Sequence, residues 1–229
     1  MSGFGLRAIG AALALGFLVP AAPASAALLH QYSFNNTTSD SVGGMNATLS
    51  GNASVSGGSL ALDGSAGTYA QLSGFAIPSA NFSITFDATI AAYTVGGYNE
   101  MISQGASGGG FYIGLANNFF RLGDYLTGTG VAAPTDGKSH AYELISNASG
   151  TQFFIDGASV FTSTIQATAP QTGTATRVGA QFQTYGEYFD GTISNLSIYS
   201  GTPTVPEPAS WALLAVGMLA LPVLRRRRG

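Results

Sequence analysis

The sequence predicts an all-β domain, a two-sheet antiparallel β-sandwich of the jelly-roll kind, with an apolar helix added at each end of the chain. Three observations predict it. Phe82, Ile84, Phe86, Ala88 and Ile90 alternate with Ser83, Thr85, Asp87 and Thr89, the period of a strand with one buried face. Asp-Gly pairs at Asp63-Gly64, Asp136-Gly137, Asp156-Gly157 and Asp190-Gly191 supply turns between such segments. Residues 27–201 show no sustained apolar stripe of helical period.

The strands follow in order. Residues 28–34, 59–62 and 68–72 read as short strands before the long one at 82–90. Residues 93–99, with Tyr93 and Tyr98, read as a glycine-rich loop. Segments 110–116 and 118–123 are separated by Asn117-Asn118, residues that tolerate the positive φ of a tight hairpin. Residues 139–146 alternate again, with His140, Tyr142 and Leu144 on one side and Ala141, Glu143 and Ile145 on the other. Residues 151–155 reach the Asp156-Gly157 turn and 158–163 return, and 174–181 and 192–199 complete the set. Many short strands joined by glycine-rich turns make a sandwich or jelly roll.

The N-terminus carries one early charge at Arg7, an apolar run over 8–19, Pro20, and then Ala24-Ser25-Ala26. That is the order of a secretory signal peptide cleaved after Ala26. The chain has no cysteine, so the exported domain stands without disulfides. The reading divides the chain into a signal peptide (1–26), a sandwich (27–201), a proline-containing linker (202–208), an apolar helix (209–224) and a basic terminus (225–229).

Pro206-Glu207-Pro208 cannot propagate a helix. The uncharged segment 209–224 spans about 24 Å as a helix, short of a hydrocarbon core of about 30 Å. Arg225, Arg226, Arg227 and Arg228 can snorkel to the headgroups, and their charge stays on the cytoplasmic side. This order resembles the PEP-CTERM sorting signal of Gram-negative bacteria. The resemblance implies transient residence in the inner membrane, recognition by an exosortase after the secretion machinery, removal of the tail, and delivery to the cell envelope or extracellular matrix.

The formal charge of −3 conceals an acidic body. Removing Arg7, the four terminal arginines and Glu207 leaves Arg121, Lys138 and Arg177 against ten carboxylates, a formal −7. Nucleic-acid binding is excluded for want of a basic patch.

A second resemblance covers the whole body. Leu29-His30-Gln31-Tyr32-Ser33-Phe34, Asp40-Ser41-Val42-Gly43-Gly44, Ala47-Thr48-Leu49 and Gly58-Ser59-Leu60-Ala61-Leu62-Asp63-Gly64 resemble the opening of laminin-G-like, concanavalin A-like domains. Asn81-Phe82-Ser83-Ile84-Thr85-Phe86, Phe154-Ile155-Asp156-Gly157, Phe189-Asp190-Gly191-Thr192-Ile193 and Leu196-Ser197-Ile198-Tyr199 follow in the family's order. The usual tryptophan is missing, since Trp211 lies in the terminal apolar segment.

The fold hosts lectins, adhesion modules and glycosidases, so function rests on the site. Glycosidases need two carboxylates roughly 5–10 Å apart, and relatives place them on one strand as Glu-x-Asp-x-Glu. No such run exists here. Glu187 and Asp190 lie three apart near a turn, Asp87 and Glu143 stand alone in their strands, and no catalytic residue is assigned. His30 and His140 read as structural. The resemblance also raises Ca2+ as a cofactor, held by Asn35, Asp40 and Asp190, although Ser194 stands where relatives often carry Asp. Sugars are recognised by exposed aromatics framed by hydrogen-bonding groups. Tyr93 and Tyr98 in one segment, and Tyr185, Glu187 and Tyr188 in another, fit that chemistry, with Phe119, Phe120 and Tyr125 on a nearby hairpin. The expected function is non-enzymatic: an exported, exosortase-sorted protein that binds carbohydrate or matrix polysaccharide, associated with biofilm or floc. A structural matrix protein without a discrete ligand site is the alternative, and a concanavalin A-like glycoside hydrolase the third reading.

Overall fold

The computed structural model describes residues 26–93, 97–106, 108–124, 126–182 and 186–202. Pro206, Glu207, Pro208 and the four terminal arginines lie outside the described residues, as do the signal segment before Ala26 and the apolar segment 209–224.

The described chain contains strands and no helix. In order they are β1 (Ala27–Tyr32), β2 (Ala47–Ser50), β3 (Ser54–Ser56), β4 (Ser59–Asp63), β5 (Tyr69–Leu72), β6 (Phe82–Ala92), β7 (Tyr98–Gly105), β8 (Phe111–Ala116), β9 (Phe119–Leu122), β10 (Ser139–Asn147), β11 (Gly150–Ile155), β12 (Ala158–Ser163), β13 (Thr174–Val178) and β14 (Asp190–Ser200). One sheet runs β12-β11-β10-β6-β14-β4-β3, with β1 also paired to β14. The other runs β2-β5-β13-β7-β8-β9. Every strand pair is antiparallel.

The two sheets pack face to face, because the alternating strands give each sheet one apolar side that only another apolar layer can cover. Phe82 of β6 meets Phe111 of β8 edge-on at 5.3 Å. Phe120 of β9 lies 5.6 Å from Tyr142 of β10 and 5.0 Å from Phe153 of β11. Each fully buried aromatic of this kind contributes about 1.5–3 kcal/mol of transfer free energy.

The all-β, two-sheet expectation holds, and the long strand at 82–90 extends by two residues to Ala92. Two edge strands, β2 and β3, were too short and polar to show a period. The expected loop over 93–99 is corrected at its end: Tyr98 and Asn99 open β7. A bulge between Glu100 and Ile102 sends both Met101 and Ile102 into the core, which breaks the two-residue alternation. Strand β13 ends at Val178, not at 181, because Gly179 turns at φ +94 and packs against Leu62 with no room for a side chain.

Candidate functional site

The outer face of the six-stranded sheet is set by the register of β7, β8 and β9. Residues directly opposite one another on neighbouring strands point to the same face. Tyr98, Ala116 and Phe119 form one such row, and Glu100, Gly114 and Arg121 form the next. The intervening residues Ile113, Leu115, Phe120 and Leu122 point inward to the core. The hairpin between β8 and β9 closes at Asn117 with φ 56, a turn that asparagine tolerates.

Tyr98 and Phe119 are 47% and 45% exposed, the two exposed aromatics among the described residues. They stand two inter-strand spacings apart, about 10 Å, with the small Ala116 between them. This makes a slot with aromatic walls and a low floor.

Beside it lies a buried charge cluster. The Arg121 guanidinium sits between two rings, 4.0 Å from the Tyr98 centroid and 4.3 Å from that of Tyr112. Its Nη2 donates to Glu100 Oε1 and to Glu187 Oε2. The Glu100 side chain is fully enclosed, and among the described residues its Oε2 and the Arg121 Nε have no hydrogen-bond partner. Burial pushes the Glu100 carboxyl well above the ordinary carboxylate range; Arg121 draws it down, and the Glu187 carboxylate adds to the rise. Burial acts to lower the Arg121 value, but Glu100 and Glu187 reverse it and hold the guanidinium charged.

Glu187 reaches this cluster on the connection from β13 to β14. That connection pairs with itself through Ala180 and Tyr188, and Tyr188 bridges to Glu100 of β7. The Asn99 Nδ2 donates to the Tyr188 carbonyl at 2.8 Å, and the Ser103 hydroxyl donates to the Ala180 carbonyl at 2.6 Å. The second arginine of this sheet is also engaged. Arg177 Nε donates to Gln71 Oε1 at 2.9 Å, its Nη1 donates to the Gln181 carbonyl at 2.9 Å, and its guanidinium lies 4.5 Å from the Tyr69 ring centre.

Of the sequence-derived sugar candidates, the structure brings Tyr98, Glu187 and Tyr188 together. Tyr93 does not join them: it follows the end of β6 and lines a separate cavity of about 450 Å³ with Ile90, Thr135 and Gly137. Tyr185 and Tyr125 lie outside the described residues. Phe120 belongs to the core. Sequence reasoning missed Glu100 and Arg121 as site residues. Arg121 was findable, since Phe120 and Leu122 alternate inward and leave one of only three body cations on the outer face.

The expected Ca2+ ligands do not fit that ion. Both Asp40 oxygens are taken by donors: Oδ1 accepts from the amides of Gln31, Val42 and Gly43, and Oδ2 from the Met45 amide and the His30 ring. Burial acts to raise the Asp40 carboxyl, but these hydrogen bonds overcome it and hold the group far below the usual range. Asp40 thus fastens a loop of backbone rather than a cation. It sits beside His30, which pairs with Ile198, whereas Asp190 lies eight residues along β14, roughly 26 Å away. Asn35 is in an exposed turn. Among the described residues no three His, Asp or Glu side chains gather as a metal site. His140 is structural in the same sense as His30, bonded through Nδ1 to Asp156 at 2.7 Å and through Nε2 to Asp136 at 3.0 Å.

Residues 63–207 match the family model of the concanavalin A-like lectin/glucanase superfamily. The chain belongs to that superfamily. Residues 204–228 match the PEP-CTERM protein-sorting motif, which indicates exosortase-dependent export to the cell envelope or extracellular space. No curated protein matches the chain significantly. Among solved structures, this concanavalin A-like chain is similar to domain 4 of AbnA, an extracellular arabinanase from Geobacillus stearothermophilus, in complex with arabinotriose. That match has a TM-score of 0.63 at 19% identity and covers 79% of this chain and 95% of the other. The sialidase of Trypanosoma rangeli in complex with sialic acid gives 0.55 at 16% identity, over 76% of this chain and 31% of that one. The binding domain of Botulinum neurotoxin DC in complex with SialylT gives 0.55 at 16% identity, over 76% and 48%. The concanavalin A-like chain therefore spans about a third of the sialidase and half of the neurotoxin binding domain, and identities this low speak for the fold.

Proposed function

We propose that this protein is an exported, non-enzymatic glycan-binding module whose site is the outer face of β7, β8 and β9. The observation that carries the reading is the pair of exposed rings, Tyr98 and Phe119, flanking Ala116 beside the Glu100–Arg121–Glu187 cluster. Aromatic rings present flat apolar faces to the C–H faces of a sugar, and neighbouring polar groups orient its hydroxyls. The solved relatives add support, since their complexes hold arabinotriose, sialic acid and SialylT.

Catalysis fits the cluster poorly. Glu100 is enclosed and Glu187 is tied to the same arginine nitrogen, so neither carboxyl stands free across a bond held in the aromatic slot. The module's biological ligand is a cell-surface or matrix polysaccharide, reached after the exosortase has removed the tail. Affinity electrophoresis of the secreted protein in gels containing polysaccharide tests the reading. Retardation by at least one polysaccharide is expected, with Tyr98→Ala and Phe119→Ala each weakening it about tenfold, or about 1.4 kcal/mol. Retardation untouched by both substitutions would place the site elsewhere.

A further inference from the structure

We propose that the glycan is neutral and that the site rejects acidic polysaccharides, an inference that rests on the glycan-binding reading above. A site that captures uronate, sialate, sulfate or phosphate needs a cation free to pair with the anion. The mature body owns three basic side chains, Arg121, Lys138 and Arg177. Arg121 is enclosed by Glu100 and Glu187 and capped by the rings of Tyr98 and Tyr112. Arg177 is spent on Gln71, the Gln181 carbonyl and the Tyr69 ring. Lys138 follows the Asp136 turn at the start of β10, in the opposite sheet.

The cluster carries a net positive charge only if both of its glutamates are protonated. With both glutamates ionised, the Glu100–Arg121–Glu187 group carries a formal −1. With one proton taken up it is neutral. Asp124 sets a further carboxylate past the end of β9 away from Phe119, accepting from the amides of Gly109 and Gly110 at 2.7 and 3.0 Å. The body's formal −7 adds repulsion at longer range. Among the described residues the exposed aromatic surfaces are the rings of Tyr98 and Phe119, which suit the apolar faces of an uncharged sugar.

The test is retention of the secreted protein on immobilised arabinan and β-glucan, as neutral probes, against alginate and polygalacturonate, as acidic ones. Each is run at low and at high ionic strength. Retention on a neutral polysaccharide, unchanged by salt, with none on either acidic one at low salt, is the expected result. Replacing both acids, Glu100→Gln with Glu187→Gln, leaves Arg121 as the one charge of the cluster, so it should create weak, salt-sensitive retention on alginate while thermal unfolding shows the domain still folded. Wild-type retention on alginate or polygalacturonate equal to that on the neutral probes, and lost in salt, overturns the inference and leaves glycan binding standing. Retention on none of the four overturns the glycan-binding reading itself, and the inference with it.

Discussion

The carboxyl of Glu100 occupies the place of a side chain on Gly114: a Cβ at that glycine would stand 1.9 Å from Glu100 Oε2 and 2.6 Å from its Cδ. The two residues face each other across β7 and β8, and Arg121 faces Gly114 from β9. A bare backbone at the middle position is what lets an acid on one strand reach across to an arginine two strands away. The charge cluster therefore depends on a residue that carries no charge.

Gly114→Ala should evict Glu100 from its position and destabilise the domain by about 1–3 kcal/mol, the range for overfilling a packed site. Denaturant unfolding of variant and wild type measures it. An unchanged midpoint would show that the Glu100 carboxyl does not lie over Gly114.

Asp40 carries a second prediction. Its oxygens accept from four backbone amides and the His30 ring, so Asp40→Asn turns an acceptor into a donor facing donors, at a cost of about 2 kcal/mol or more. The carboxyl is held below its ordinary value in the folded state. Its stabilisation is thus fully present above the unfolded pKa of about 3.9 and is lost as pH falls through the folded value. The gap in melting temperature between wild type and variant should be constant at neutral pH and close in strong acid. Addition of Ca2+ should leave the wild-type melting temperature unmoved; a rise would show a calcium site that these residues do not form.

His140 titrates in the opposite sense. Its hydrogen bonds to Asp156 first, and to Asp136, raise its pKa above the ordinary value. A raised histidine stabilises the fold fully below the unfolded pKa of about 6.5, and the contribution fades as pH climbs through the folded value. The stability difference between wild type and His140→Gln should therefore shrink from mildly acidic to alkaline pH. An NMR titration giving a His140 pKa at or below the ordinary value would contradict the pairing.

Most of the architecture was legible because strand burial leaves a local trace. Phe82 to Ile90 alternate with polar residues, and the hairpins at Asn117-Asn118 and Asp156-Gly157 mark their own turns. Strand β7 escaped because, past Tyr98, it is buried on both sides. Its inner face meets the core, Ser103 and the Glu100–Arg121 pair are bonded to the connection from β13 to β14 through Ala180 and Glu187, and the bulge at Met101 erases the remaining alternation. Past Tyr98 its polar residues, Asn99, Glu100, Ser103 and Gln104, are all buried, so polarity does not mark a solvent face.

The sequence alone determined the sandwich, the acidic body and the PEP-CTERM sorting motif, since each is written in composition or in the order of neighbouring residues. Only the tertiary structure decided what the charged residues do. Glu187 stands 66 positions from Arg121, and Glu100 stands 21. Periodicity says which side of a strand faces the core; it does not say which distant segment crosses the other side. Asp40 makes the same point in reverse. The family resemblance suggests a cation at Asp40, and the fold turns backbone amides toward it instead. Whether a carboxylate meets a metal, an arginine or an amide depends on how the chain closes around it, and that is settled by packing across the sheet.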